Sequence, residues 1–178
     1  MIDIGDNYPI IQPIKLYTLG QSWFKKFTKS LKSRTWRLIG DYRLYVPEHE
    51  KEYFAPKGFV LNLASVPRFL WPILPPDGLL LVPSVFHDFG YAYGGLIFRH
   101  VGTGGVCDSI CFVKMSRKEI DQHLAYVGKE INDIKILPII SYVFLRMFGL
   151  IAWNRHRKKN RNVFEDYPEL NLYETRCL

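Results

Sequence analysis

Between Thr35 and Leu61 apolar side chains alternate with polar ones. Trp36, Leu38, Tyr42, Leu44 and Val46 flank the turn pair Gly40-Asp41, which predicts two short strands. Pro47-Glu48-His49-Glu50 forms the next loop, and Glu52-Tyr53-Phe54 and Phe59-Val60-Leu61 read as further strands about Pro56-Lys57-Gly58. An antiparallel meander over residues 36–62 is the natural result. Upstream, residues 1–20 carry Pro9 and Pro13 among isolated apolar positions and read as an extended arm. In residues 21–33, Trp23, Phe24, Phe27 and Leu31 recur at helical spacing between lysines, which predicts a short basic amphipathic helix docked on its own core.

The period changes after Asn62. Ser65 is placed to cap a brief helical turn opened by Pro67 and stopped by Pro72, Pro75 and Pro76. Residues 79–93 predict a helix ended by Gly94-Gly95. Residues 96–115 read as a Gly-rich loop, and Ser116-Arg117-Lys118-Glu119 is a capping box that starts a helix over about 116–129. A last helix covers 136–155. Its run from Ile136 to Ala152 falls just short of a bilayer crossing and contains Arg146, so a buried packing helix is expected and a membrane span is not. The expected fold is α+β: a small antiparallel β-meander packed beside a three-helix bundle, with extended terminal arms. Residues 1–34 form a basic N-terminal arm and short helix, 35–155 a single domain, and 156–178 a basic, then acidic tail.

The 178 residues are 48% hydrophobic, enough for one core and too few for two comfortable domains. The net charge of +7 is concentrated at the ends. Residues 1–37 and 155–161 each carry +5, residues 162–178 carry −3, and residues 38–154 sum to zero. A nucleic-acid groove would spread cations over the folded body, so nucleic acid is not expected as the main partner. Three cysteines exclude a disulfide scaffold and suit a reducing compartment, with Cys107 and Cys111 as buried or inert thiols.

The densest polar cluster in the apolar helix is His87-Asp88-Phe89-Gly90-Tyr91. Tyr91 lies four residues after His87, so the two share a rim of the helix. Proton transfer suits His87, and binding a cation or orienting a partner suits Asp88. A histidine base needs a carboxylate to fix its tautomer, and Asp121 on the following helix is the best placed. His87 and Asp121 are therefore expected within hydrogen-bond reach, with Asp88 and Tyr91 beside them and Asn62 near the rim. The competing account is a buried polar network that pins two helices. Gly102-Thr103-Gly104-Gly105 is a poor phosphate signature, Ser65 reads as a cap, and His123 and His156 read as surface residues.

Four separated motifs occur in order: Gly58 to Arg68 (GFVLNLASVPR), Leu74-Pro75-Pro76-Asp77-Gly78, His87-Asp88-Phe89-Gly90-Tyr91, and Ser116-Arg117 with Asp121. Together they resemble the phage-associated domain-of-unknown-function family numbered 1353, from about Trp36 to Trp153. Where that family's pattern has Thr-Asp this chain has Leu61-Asn62, which removes a carboxylate; where it has Ala-Asp this chain has Ile120-Asp121, which keeps one. The resemblance implies a phage or prophage origin near tail and virion genes, and makes Tyr91, Asn62, Ser65 and Arg68 site-supporting residues. More distantly, His87-Asp88-x-x-Tyr91 with Asp121 is similar to the catalytic arrangement of phospholipase A2 enzymes. That likeness implies His87 as base, Asp88 as calcium ligand and Asp121 as orienter, although their calcium loop has no counterpart here. Two functions follow as expectations. One is a structural or adaptor protein of a phage tail or baseplate, bound to other virion proteins through its arms. The other is an envelope-directed hydrolase, acting on lipid or peptidoglycan with His-activated water. The Asn62 departure and the arms favour the first.

Overall fold

The computed structural model describes residues 7–14, 35–62, 80–102, 105–106, 110–131 and 135–173. The expected helix over 21–33, Ser65, Arg68, Cys107 and the centre of the Gly102–Gly105 loop lie outside them. Strict alternation appears in β3 (Tyr42–Val46), where Tyr42, Leu44 and Val46 are buried and Arg43 and Tyr45 face out. β4 (Lys51–Ala55) pairs with it antiparallel, Tyr42 opposite Ala55 and Val46 opposite Lys51. The single turn Pro47–His49 joins them.

The rest of the expected meander divides. β2 (Trp36–Leu38) and β5 (Val60–Leu61) pair with each other, and β1 (Ile11–Pro13) adds to β2, giving a three-stranded sheet in the order β1-β2-β5. β4 takes as its second neighbour a strand from the stretch read as a Gly-rich loop. β6 (Gly95–Gly102) pairs Ile97 with Phe54 and His100 with Lys51. β7 (Gly105–Val106) and β8 (Cys111–Lys114) both pair with β6, which completes a five-stranded sheet. The start of β6 is buried on both faces, so Leu96-Ile97-Phe98 is a continuous apolar run and not an alternating one. Cys111, expected as a buried or inert thiol, is buried but disulfide-bonded.

Helix α1 (Leu81–Tyr93) is the centre of the molecule, packed on β4 and β6 and on both long helices that follow. Phe86 meets the rings of Tyr42 and Tyr53, and Phe89 those of Phe59 and Tyr93. Gly94 closes α1 at φ +76°, a left-handed conformation that glycine adopts without steric cost. α2 (Arg117–Ile131) starts at the expected capping box: Ser116 Oγ accepts from the Glu119 amide at 3.3 Å, and Glu119 Oε2 accepts from the Ser116 amide at 2.7 Å. α3 (Ile136–Lys158) extends beyond the expected end at 155. The class is therefore α+β, with antiparallel sheets beside three long helices.

Two expectations about placement change. α3 buries one face only, through Leu137, Ser141, Leu145 and Gly149. By length and composition it is the one helix among the described residues able to cross a membrane, with a mean hydropathy of 1.9 over its most apolar window. One such helix does not make a clear transmembrane protein. Both ends were expected outside the body, yet their described parts return to it. Tyr42 donates to the Asn7 carbonyl, and Ile11 lies opposite Leu38. After α3, the short α4 (Val163–Asp166) and the turn Pro168–Tyr173 bring Val163 and Leu170 into the core, while Tyr93 donates to Asp166. The tail's few apolar residues are what dock it.

Candidate functional site

His87 and Tyr91 sit one turn apart on α1, and their rings lie 4.2 Å apart between centroids. The capping box fixes where α2 begins and so which face carries Asp121. That carboxylate is fully buried and takes contacts from three side chains. His87 Nε2 lies 3.1 Å from Oδ1, Tyr91 donates to the same oxygen at 2.8 Å, and Arg146 Nη1 donates to Oδ2 at 3.1 Å. The expected His87–Asp121 approach is present, with Tyr91 beside it. Asp88 stands on the other side of the imidazole, its Oδ1 3.8 Å from Nδ1. Asp88 Oδ2 accepts from the Asn62 backbone amide at 2.9 Å. Asn62 thus reaches the site through its main chain, and replacing an aspartate with asparagine there leaves that bond intact.

The electrostatics describe a buried ion pair. Burial by itself pushes the His87 imidazolium toward neutrality, but the carboxylates of Asp121 and Asp88 more than offset it, and the pKa is raised above 6.5. Burial likewise pushes the Asp121 carboxyl up. Hydrogen bonds from His87 and Tyr91, the His87 charge and the Arg146 guanidinium hold it below its usual range. Burial, and then Asp121, drive the Tyr91 phenol far up, so it remains a donor. The side chains of His87 and Asp121 are 1% and 0% exposed, against 15% for Asp88.

Arg146 was read as an argument against a membrane span, and its role as third partner of Asp121 was missed. The signal was present: it is the single charge within the apolar run from Ile136 to Ala152. Arg117 positions it from α2 by donating to the carbonyls of Leu145 at 3.3 Å and Arg146 at 3.4 Å. Trp153 completes the wall, its ring edge-on to Tyr91 at 5.3 Å. Gly149 lets α3 approach this cluster, because a Cβ there would lie 2.6 Å from the Tyr91 hydroxyl oxygen. Gly149→Ala should therefore push Tyr91 off Asp121 and cost about 1–3 kcal/mol, the usual toll of overpacking. A melting curve unchanged from the parent would contradict that close contact.

His123 and His156 are corrected. His123 is buried on α2 between Ile120 and Val127, three and four residues away, a spacing the sequence already carried. Its ring meets Tyr53 edge-on at 4.4 Å, and its Nε2 has no hydrogen-bond partner among the described residues. Burial, reinforced by the nearby His49, His87 and Lys51, lowers its pKa to about 3. His156 is half-buried at the end of α3, and burial lowers its pKa too.

Calcium requires six to eight oxygen ligands. Among the described residues no group of three or more His, Cys, Asp or Glu side chains is placed to hold a metal ion. One oxygen of Asp88 accepts from the Asn62 amide.

A family model described as "Protein of unknown function (DUF1353)" matches residues 36–142, and the chain belongs to that family. His87, Asp88, Tyr91, Asn62 and Asp121 fall within the match, whereas Arg146, Gly149 and Trp153 lie beyond it. No curated protein and no solved structure matches the chain.

Proposed function

We propose that this DUF1353 member is a structural or adaptor component of a phage particle, in the tail or baseplate, whose His87–Asp121 pair holds helices together. The burial of that pair carries the reading. A general base must offer a lone pair to a water molecule. His87 has 1% of its side chain exposed, and its partners favour the protonated ring. Both oxygens of Asp121 are engaged by side chains of α1 and α3, so the carboxylate ties three helices at one point. The phage setting rests on the motifs shared with the family. Tyr8 and Ile10 present exposed apolar side chains beside β1, the outermost strand of its sheet among the described residues, a surface suited to a neighbouring subunit. The test is mass spectrometry of purified particles from a lysogen that encodes the chain. A fixed copy number per particle is expected, and absence from particles would refute the proposal.

An envelope-directed hydrolase is the second reading, favoured by one observation. Asp88, beside His87 Nδ1, keeps 15% of its side chain in contact with solvent. On this reading His87 takes a proton from water through Nδ1, and Asp121 orients the ring through Nε2. Fatty-acid release from phospholipid vesicles and turnover of sacculi, each with and without calcium, should be absent in wild type and His87→Ala alike if the structural reading holds. Calcium-dependent release lost in His87→Ala would replace it with the hydrolase.

A further inference from the structure

α3 is apolar on both of its faces, which is unusual for a helix at the surface of a domain. Its inner face is accounted for by Leu145, Gly149 and the Arg146–Asp121 pair. Its outer face is not. Ile136, Ile139, Val143, Met147, Leu150 and Ile151 recur at helical spacing, with exposures from 47% at Val143 to 71% at Ile151. The row spans roughly 24 Å at the rise of an α-helix. No polar side chain interrupts it, and only 28% of the most apolar window of the helix is buried. Apolar stripes this long on soluble proteins mark contact surfaces.

Charge identifies the occupant. α3 contains no Asp or Glu, and exposed cations bracket the stripe: Lys135 before it, and Arg155, Lys158 and Lys159 after it. Arg157 and Arg161, by contrast, are used inside the molecule, on the carbonyls of Tyr91 and Ala92 and on Asp166. A second copy docked by this face, in either direction, would set cations against cations at both ends. A bilayer surface with anionic headgroups complements the whole pattern, taking the apolar row into the acyl boundary and the flanking cations to phosphate. We propose that the outer face of α3 docks the protein on an anionic lipid surface, lying in its plane. The inner face remains packed on α1 and α2, so the helix rests on the bilayer as part of the domain. This inference goes beyond the structural role and does not depend on His87.

The test is co-sedimentation of the full chain with vesicles of phosphatidylcholine alone and of phosphatidylcholine mixed with phosphatidylglycerol. Each cation near an anionic surface contributes roughly fivefold to binding, so the four predict roughly a 600-fold preference for the mixed vesicles, weakening with salt. Met147→Glu combined with Ile151→Glu, both exposed and outside the Asp121 network, should abolish binding and leave the melting curve unchanged. Arg155→Glu combined with Lys158→Glu should remove the preference for anionic lipid. Alkaline carbonate should release the bound protein. Equal binding to both vesicle types, undiminished binding by the Met147/Ile151 variant, or retention after carbonate, as for a spanning helix, would each overturn the proposal. So would a dimer that the Met147/Ile151 variant converts to monomer, since a second copy would then own the face.

Discussion

Asp121→Ala should destabilise the domain by about 3 kcal/mol, the lower end of what removing one partner of a buried ion pair costs. In a chain of this length that corresponds to a fall of about 6–12 °C in melting temperature. Three donors lose their acceptor at once: His87, Tyr91 and Arg146. His87 can answer by shedding its proton, and the partly exposed Arg146 can turn to water, which holds the loss near that lower end. Asp121→Asn is the sharper comparison, because it keeps the shape and removes the charge. The pH dependence follows from the two directions. His87 is raised above 6.5, so its contribution is complete below that value and is lost as pH climbs through its folded pKa. Asp121 is lowered below 3.8, so its contribution is complete above that value and is lost as pH falls through its folded pKa. The pair therefore supports the fold fully between those two reference values. Urea unfolding should show wild type weakening on the alkaline side of this window, with that limb flattened in both Asp121 variants. An alkaline limb identical in all three proteins would dismiss the ion pair.

His123→Phe should remove an acid lability of comparable size. The buried His123 imidazole has a pKa lowered to about 3 from 6.5. Above 6.5 both folded and unfolded chains carry it neutral, and it contributes nothing. As pH falls below 6.5 the unfolded chain takes up a proton that the folded chain refuses, and stability drops by about 1.4 kcal/mol per pH unit. At about pH 5 the wild type should thus have lost about 2 kcal/mol through this residue, a sizeable share of a typical stability. Phenylalanine suits the site, since His123 already packs edge-on against Tyr53 and Phe86. At neutral pH the exchange gives up no hydrogen bond from Nε2 to the described residues. Urea midpoints of the two proteins should agree near neutrality and diverge toward acid, with the variant the more stable. Parallel curves down to about pH 5 would show that His123 takes up its proton in the folded state.

These two residues also show how far local rules reach. A cap, a helical repeat or a strand alternation is set by residues within about five positions of one another, so it can be read along the chain. That is why β3 alternates as expected, why α1 ends at Gly94, and why Ser116 and Glu119 open α2. The same rules put His87 and Tyr91 on one rim and offered Asp121 from the next helix. His123 was equally legible from its spacing to Ile120 and Val127, but a polar side chain within a charged stretch was taken for a surface one.

The sequence by itself determined the three long helices, the Gly94 stop of α1, the capped start of α2, the alternating strand and the α+β class, and it offered His87 and Asp121 as partners. Only the tertiary structure decided the contacts between distant segments. β6 carries a short apolar run between Gly95 and Arg99, and it becomes a central strand only when β4 and β8 supply its two edges. Arg146 lies 25 residues from Asp121 and becomes its partner only because α3 crosses α2 there. Val163 and Leu170 look like isolated apolar residues in a charged tail until the core that receives them exists. In each case the hydrophobic and ionic terms that fix the contact depend on two surfaces meeting, and a single stretch of chain holds only one of them.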